Sequence, residues 1–190
     1  MHPITGILLI YSKIYIARGL KLRILLVVKT KVMENLGVMY LSSVIQRAGH
    51  ECRIVSLPEM VSFAHQWKPD IIGLSIMTGD QKKFRYQVAL LHRNKKWNPK
   101  IILGGPHVTF FPDDCTWADM IIPGEAENEI SELLGSNHRY PDLDSIPWPE
   151  RGDFPYMKIR DFVSSRGCPF NCSYCFNDQW NKLFPDLGKV

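Results

Sequence analysis

The sequence predicts an α/β fold of 190 residues, in which a doubly wound, five-stranded parallel sheet carries helices on both faces. Three observations predict it. Continuous apolar, β-branched runs such as Leu22–Val28 and Ile71–Met77 have the composition of strands buried on both sides. Between these runs, apolar residues recur at helical spacing. The connections are short and marked by Gly, Pro and Asp, as right-handed β-α-β crossovers require.

Each element follows in order. Leu22–Val28 is the first strand, and Leu36, Tyr40, Leu41, Val44, Ile45 and Ala48 mark the helix after it. Gly49 stands just past that helix, where a C-terminus favours a residue free to take positive φ. Arg53–Leu57 is the second strand and Pro58–Trp67 a short second helix, closed by the turn Lys68-Pro69-Asp70. Ile71–Met77 is the third strand. Gln81–Trp97 is the third helix, with Phe84, Val88, Leu91 and Trp97 as its apolar stripe. Lys100–Leu103 is the fourth strand, Met120–Ile122 a short fifth, and Glu125–Leu134 the closing helix. The expected strand order is 2-1-3-4-5, the flavodoxin-like variant of the Rossmann-like architecture.

The flanking segments differ in character. Residues 1–21 precede the sheet as an N-terminal extension. Its apolar stretch Ile4–Ile16 is broken by Ser12 and Lys13, is too short to span a bilayer and lacks the basic start of a secretory signal, so a cytoplasmic protein without a membrane span is expected. Residues 135–157 carry Pro141, Pro147, Pro149 and Pro155 without sustained periodicity, which predicts an extended, stiff linker. Residues 158–190 form a second segment, in which Lys158–Ser164 reads as one more strand leading into a cysteine-rich loop.

Composition narrows the function. With 45% hydrophobic and 22% charged residues, collagen-like and wholly disordered chains are excluded. The net charge of +4 is concentrated between Lys82 and Lys100, where the basic residues read as the solvated face of the third helix, so no nucleic-acid partner is expected. Five cysteines, odd in number, do not make a disulfide framework. Cys52 and Cys115 read as small buried hydrophobes.

The other three stand together in Cys168-Pro169-Phe170-Asn171-Cys172-Ser173-Tyr174-Cys175. Thiolates are soft ligands suited to iron–sulfur clusters and zinc, and this spacing lets one loop wrap a single centre. No fourth Cys or His follows to close a zinc site. The first strand is followed by Lys29-Thr30-Lys31 rather than a GxGxxG turn, and no P-loop is present, so NAD and ATP are disfavoured. Candidate ligand contacts instead stand where parallel strands end: Ser75 and Thr78 after the third, Gly104, Gly105 and His107 after the fourth, Gly124 and Glu125 after the fifth. Short hydroxyls and side-chain-free backbone suit a bulky ligand with a polar tail. A tight turn and a favourable first-turn charge are the structural alternatives.

The CxxxCxxC motif, preceded by Ser165-Arg166-Gly167 and carrying Tyr174, resembles the radical S-adenosylmethionine (radical SAM) superfamily. The α/β domain joined to it through Asp142-Leu143-Asp144-Ser145-Ile146-Pro147, together with LGGPHVTFFP from Leu103 and LGVMYLSSVIQRAGHE from Leu36, looks like the cobalamin-binding class of that superfamily. The resemblance implies a cobalamin-binding domain over 22–134, with the polar residues above around the nucleotide tail. It implies a 4Fe-4S cluster on Cys168, Cys172 and Cys175 that leaves one iron for S-adenosylmethionine, and Tyr174 near the adenine. It further implies methyl transfer or related radical chemistry on a small-molecule or lipid-precursor substrate, and an electron donor such as a flavodoxin or ferredoxin. DxHxxG, whose histidine takes the lower cobalt position in other cobalamin domains, is absent. With 15 residues after Cys175, 158–190 is expected to hold just the first strand and cluster loop of an incomplete radical SAM β/α barrel, inactive alone. The alternative is a non-catalytic corrinoid- or metal-binding module.

Overall fold

A computed structural model describes residues 20–93, 97–154, 157–170 and 172–184. The expected extension over 1–21 therefore lies outside the described residues, apart from Leu20 and Lys21. The chain divides into two compact units between Met157 and Lys158.

In the first unit, β1 (Arg23–Val28), β2 (Glu51–Ser56), β3 (Ile71–Ser75), β4 (Lys100–Gly104) and β5 (Met120–Ile121) pair in parallel in the order β2-β1-β3-β4-β5. This is the predicted order. Alternation in β1 explains its continuous apolar run: Ile24, Leu26 and Val28 enter one core, and Leu25 and Val27 the other. The first core is closed by α1 (Leu36–Arg47) and α5 (Glu127–Leu133), the second by α2 (Met60–Trp67) and α3 (Gln81–Leu91). Each fully buried Leu, Ile, Val or Phe contributes about 1.5–3 kcal/mol. The cores are therefore the chief source of stability.

Local chemistry sets the helix limits. Asn35 accepts a hydrogen bond from the Val38 amide at 3.2 Å to start α1, and Gly49 at φ +91° ends the turn after it, as expected. α2 ends on Lys68, a non-glycine at φ 52°. α3 stops at Leu91 instead of reaching Trp97. The Trp97 indole donates to the Pro69 carbonyl at 3.2 Å and Lys68 lies over its ring, so this aromatic is tied to the turn before β3. Residues 94–96 lie outside the described residues.

Several boundaries move. β2 begins two residues earlier than predicted, β3 ends at Ser75 and α5 is shorter at both ends. The chain between β4 and β5 forms α4 (Pro106–Phe110) and a 3-10 turn over Pro112–Cys115, neither of which was predicted. Five-residue helices are too short for a periodic pattern.

The segment expected as a linker packs against the first core. Tyr140 and Phe154 are buried there, with Ile146 and Met157 partly so. Asn128 holds the Tyr140 backbone from both sides, accepting from its amide at 2.8 Å and donating to its carbonyl at 3.1 Å. Asp153 accepts from the Ile54 amide at 2.7 Å, covering the free edge of β2, and Arg151 pairs with the buried Glu34.

In the second unit, Lys158–Ser164 is not a strand. A strand needs a neighbour to take its backbone hydrogen bonds, and among the described residues of this unit there is none. Ile159 and Phe162 stay exposed, and α6 (Phe176–Leu183) follows the cysteine loop.

Candidate cofactor site at the carboxyl edge of the sheet

The register brings the ends of β3 and β4 level, with Ser75 opposite Gly104. Beyond that pair the two chains stay stitched together: the Ile76 amide donates to the Gly104 carbonyl at 2.9 Å, and the His107 amide to the Ile76 carbonyl at 3.0 Å. Gly105 makes this possible. Its backbone lies at φ 94°, ψ 178°, and a Cβ there would stand 2.9 Å from both the nitrogen and the oxygen of Ile76. A Cβ on Gly104 would meet just the Ile122 carbonyl, at an ordinary 3.7 Å. The two adjacent glycines thus differ: Gly105 is required by the fold, and Gly104 leaves room that the protein itself does not use.

Thr109 extends the stitching to β5. Its hydroxyl donates to the Gly105 carbonyl at 3.1 Å and accepts from the Gly124 amide at 2.9 Å. Gly124, at φ +78°, is thereby locked beside the β4 loop. Sequence reasoning missed Thr109; its signal is a hydroxyl four residues after the carbonyl it caps.

His107 is 1% exposed, and neither ring nitrogen has a hydrogen-bond partner among the described residues. Its ring stacks on Phe111 at 5.4 Å, and Nε2 lies 3.9 Å from an Asp114 carboxylate oxygen, beyond hydrogen-bond distance. A buried unsatisfied polar group costs about 1–3 kcal/mol, so such a group marks a place where a further partner is accommodated. Burial, and then the Asp114 carboxylate, push the nearby Cys115 thiol up, which leaves it a protonated packing group. Four large apolar side chains lie exposed around this edge: Val32 and Met33 after β1, Met77 after β3 and Phe111 after α4.

Two charged residues at this edge stand outside the contacts expected from the sequence. Lys29, directly after β1, pairs with Asp80 ahead of α3 at 3.0 Å. A basic residue immediately after a buried strand is the signal that would have found it.

The B12 binding domain family matches residues 22–134, more than half of the chain. The chain belongs to that family. Its B12-binding domain therefore takes cobalamin, and the edge described above fits such a ligand: an orphaned buried imidazole, backbone left open at Gly104 and an apolar rim. The chain is 28% identical to an uncharacterized methyltransferase of Pyrococcus horikoshii, covering 76% of this chain and 42% of that protein. It is also 28% identical to bacteriochlorophyllide d C-8(2)-methyltransferase of Chlorobaculum tepidum, covering 56% and 28%. The chain thus spans less than half the length of these relatives. Among solved structures, the fold resembles the cobalamin-dependent S-adenosylmethionine radical enzyme OxsB with aqua-cobalamin bound, at a TM-score of 0.52 and 19% identity over 66% of this chain and 21% of that one. It also resembles the radical S-adenosylmethionine methyltransferase TsrM of Kitasatospora setae, at 0.51 and 15% over 60% and 25%.

In the second unit, Cys168, Cys172 and Cys175 are half-buried free thiols. The Cys175 amide donates to the Cys172 carbonyl at 3.0 Å, and Asn181 of α6 donates to the Cys168 carbonyl at 2.9 Å, so the loop and helix brace each other. Among the described residues no three potential ligands are gathered closely enough to hold a metal. Tyr174 is 91% exposed. No helix among the described residues is long and apolar enough to cross a membrane.

Proposed function

We propose that this chain is the cobalamin-binding and cluster-bearing part of a radical SAM methyltransferase. The observation that carries the reading is a B12-binding domain followed, in the same chain, by three thiols at x3 and x2 spacing. Ser75, Thr78, Gly104 and Gly105, with Gly124, Glu125 and His107 beside them, line the place of the nucleotide tail, where Gly104 admits the ligand and Gly105 and Thr109 hold the loops that form it. Cys168, Cys172 and Cys175 hold a 4Fe-4S cluster, and Tyr174 lies where it reaches the adenine of S-adenosylmethionine. One-electron reductive cleavage of S-adenosylmethionine is the chemistry such a cluster supplies when bound. The substrate class is a small molecule or lipid precursor, reduction comes from a flavodoxin or ferredoxin, and the protein works in the cytoplasm.

Anaerobic reconstitution with iron, sulfide and hydroxocobalamin tests this. The expected product holds about four irons per chain with labile sulfide, shows thiolate-to-iron charge-transfer absorption and retains corrinoid after desalting. Cys168→Ala, Cys172→Ala and Cys175→Ala each lose the iron and keep the corrinoid. One zinc per chain in place of iron would support a non-catalytic metal-binding module. Loss of corrinoid from the unaltered protein would defeat the cobalamin half of the proposal.

A further inference from the structure

The deepest opening between loops in a doubly wound sheet lies at its switch point, where consecutive crossovers leave to opposite faces. Here that is the β1/β3 pair, since α1 covers one face and α3 the other. The Lys29–Asp80 pair spans this opening, from the residue after β1 to the residue before α3. Asp80 is buried, with its side chain 10% exposed, whereas the Lys29 side chain is 54% exposed. The other oxygen of Asp80 faces Lys83, at 3.7 Å. One carboxylate thus serves two ammonium groups. Lys31 does not share it, because its ammonium donates to the Ile54 carbonyl at 3.4 Å and lies 4.9 Å from the centre of the Phe154 ring.

From this we propose that Lys29 binds the phosphodiester of the cobalamin nucleotide tail. The inference rests on the cobalamin reading above. The nucleotide arm carries one formal anion, its phosphodiester, which suits the exposed Lys29 ammonium. Transfer of Lys29 from Asp80 to the phosphate does not strand the carboxylate, which keeps Lys83. Asp80 acts as a positioning residue that holds the ammonium at the opening until the tail enters.

The test compares two corrinoids on the full chain. Hydroxocobalamin has the phosphodiester and base; dicyanocobinamide has the corrin ring and neither of these. Dissociation constants are measured by tryptophan-fluorescence quenching and equilibrium dialysis, with thermal melts as the folding control. Lys29→Gln is expected to weaken hydroxocobalamin about tenfold and leave dicyanocobinamide within about twofold, while Lys29→Arg restores most of the loss. Lys83→Gln, which removes the partner Asp80 would keep, also weakens hydroxocobalamin and leaves dicyanocobinamide within about twofold. In the unaltered protein, added NaCl weakens hydroxocobalamin and spares dicyanocobinamide, an outcome that needs no variant to fold. Equal weakening of both corrinoids by Lys29→Gln, or an unchanged hydroxocobalamin constant, overturns the assignment. Failure of the unaltered protein to retain hydroxocobalamin at all overturns the cobalamin reading with it, and so is told apart from failure of Lys29 alone.

Discussion

At the scale of single residues, burial separates the thiols. Burial pushes the Cys52 thiol up to about 12, against an ordinary value of 9.0, and a hydrogen bond with Ser42 offsets part of that rise. The folded protein therefore holds a proton that the unfolded chain releases at lower pH, and the contribution is fully present below pH 9. It is lost as pH rises through about 12, at up to about 1.4 kcal/mol per pH unit. Melting temperatures of the unaltered protein and Cys52→Ala, measured at pH 8 and pH 10.5, should converge as pH rises. A constant difference would show that Cys52 is not the titrating group. The adjacent glycines make a second pair. Gly105→Ala is expected to destabilise by at least about 1–3 kcal/mol through its forbidden backbone alone, whereas Gly104→Ala should melt near the unaltered protein and bind hydroxocobalamin more weakly. Equal melting of the two variants would refute this division. The sequence could propose Gly-Gly as a ligand approach, but which glycine serves the fold depends on Ile76, nearly thirty positions away in the chain.

At the scale of elements, the long strands and helices were legible because each repeats a period several times. β1, α1 and the 2-1-3-4-5 order follow from such patterns, and the structure reproduces them. α4 has no repeat to read, and Lys158–Ser164 has the right composition for a strand without a partner to pair with. Strand formation is a property of pairs, so a single segment cannot declare it. The geometry of the candidate site was legible in the same degree: Ser75, Gly104, Gly105 and Gly124 can be placed near strand ends from the pattern alone, while the contacts of Thr109 and the Lys29–Asp80 pair join separate elements. The cysteine loop offers an element-scale expectation. In the folded, cluster-free protein Cys168, Cys172 and Cys175 should react with iodoacetamide, and Cys52 and Cys115, both buried, only after unfolding. Mass spectrometry of the native digest checks it, and native modification of Cys52 would count against the fold.

At the scale of the whole molecule, the domain is larger than its family signature. The family match ends at Leu134, and the proline-bearing stretch beyond it reads in sequence as a linker, because prolines forbid helix and give no period. Proline does not forbid packing, and the chain folds back over the first core. Phe154 is 1% exposed, Asp153 covers the β2 edge, Arg151 neutralises the buried Glu34, and the Ser43 hydroxyl donates to the Trp148 carbonyl at 2.5 Å. A chain ending at Leu134 would expose the surface under Tyr140 and Phe154, at about 1.5–3 kcal/mol for each lost aromatic, and would leave Glu34 as a buried charge without its arginine. Losses of that size correspond to a drop in melting temperature of at least about 10 °C. A chain over 22–157 should melt as one cooperative unit and hold hydroxocobalamin as tightly as residues 1–190, because every element at the carboxyl edge and its supporting segment is retained. Matched thermal melts and cobalamin titrations of 22–134, 22–157 and 1–190 decide the matter. If 22–134 matches 22–157 in both, the segment is a linker after all; if 22–157 binds cobalamin far more weakly than 1–190, residues 158–190 contribute to the site.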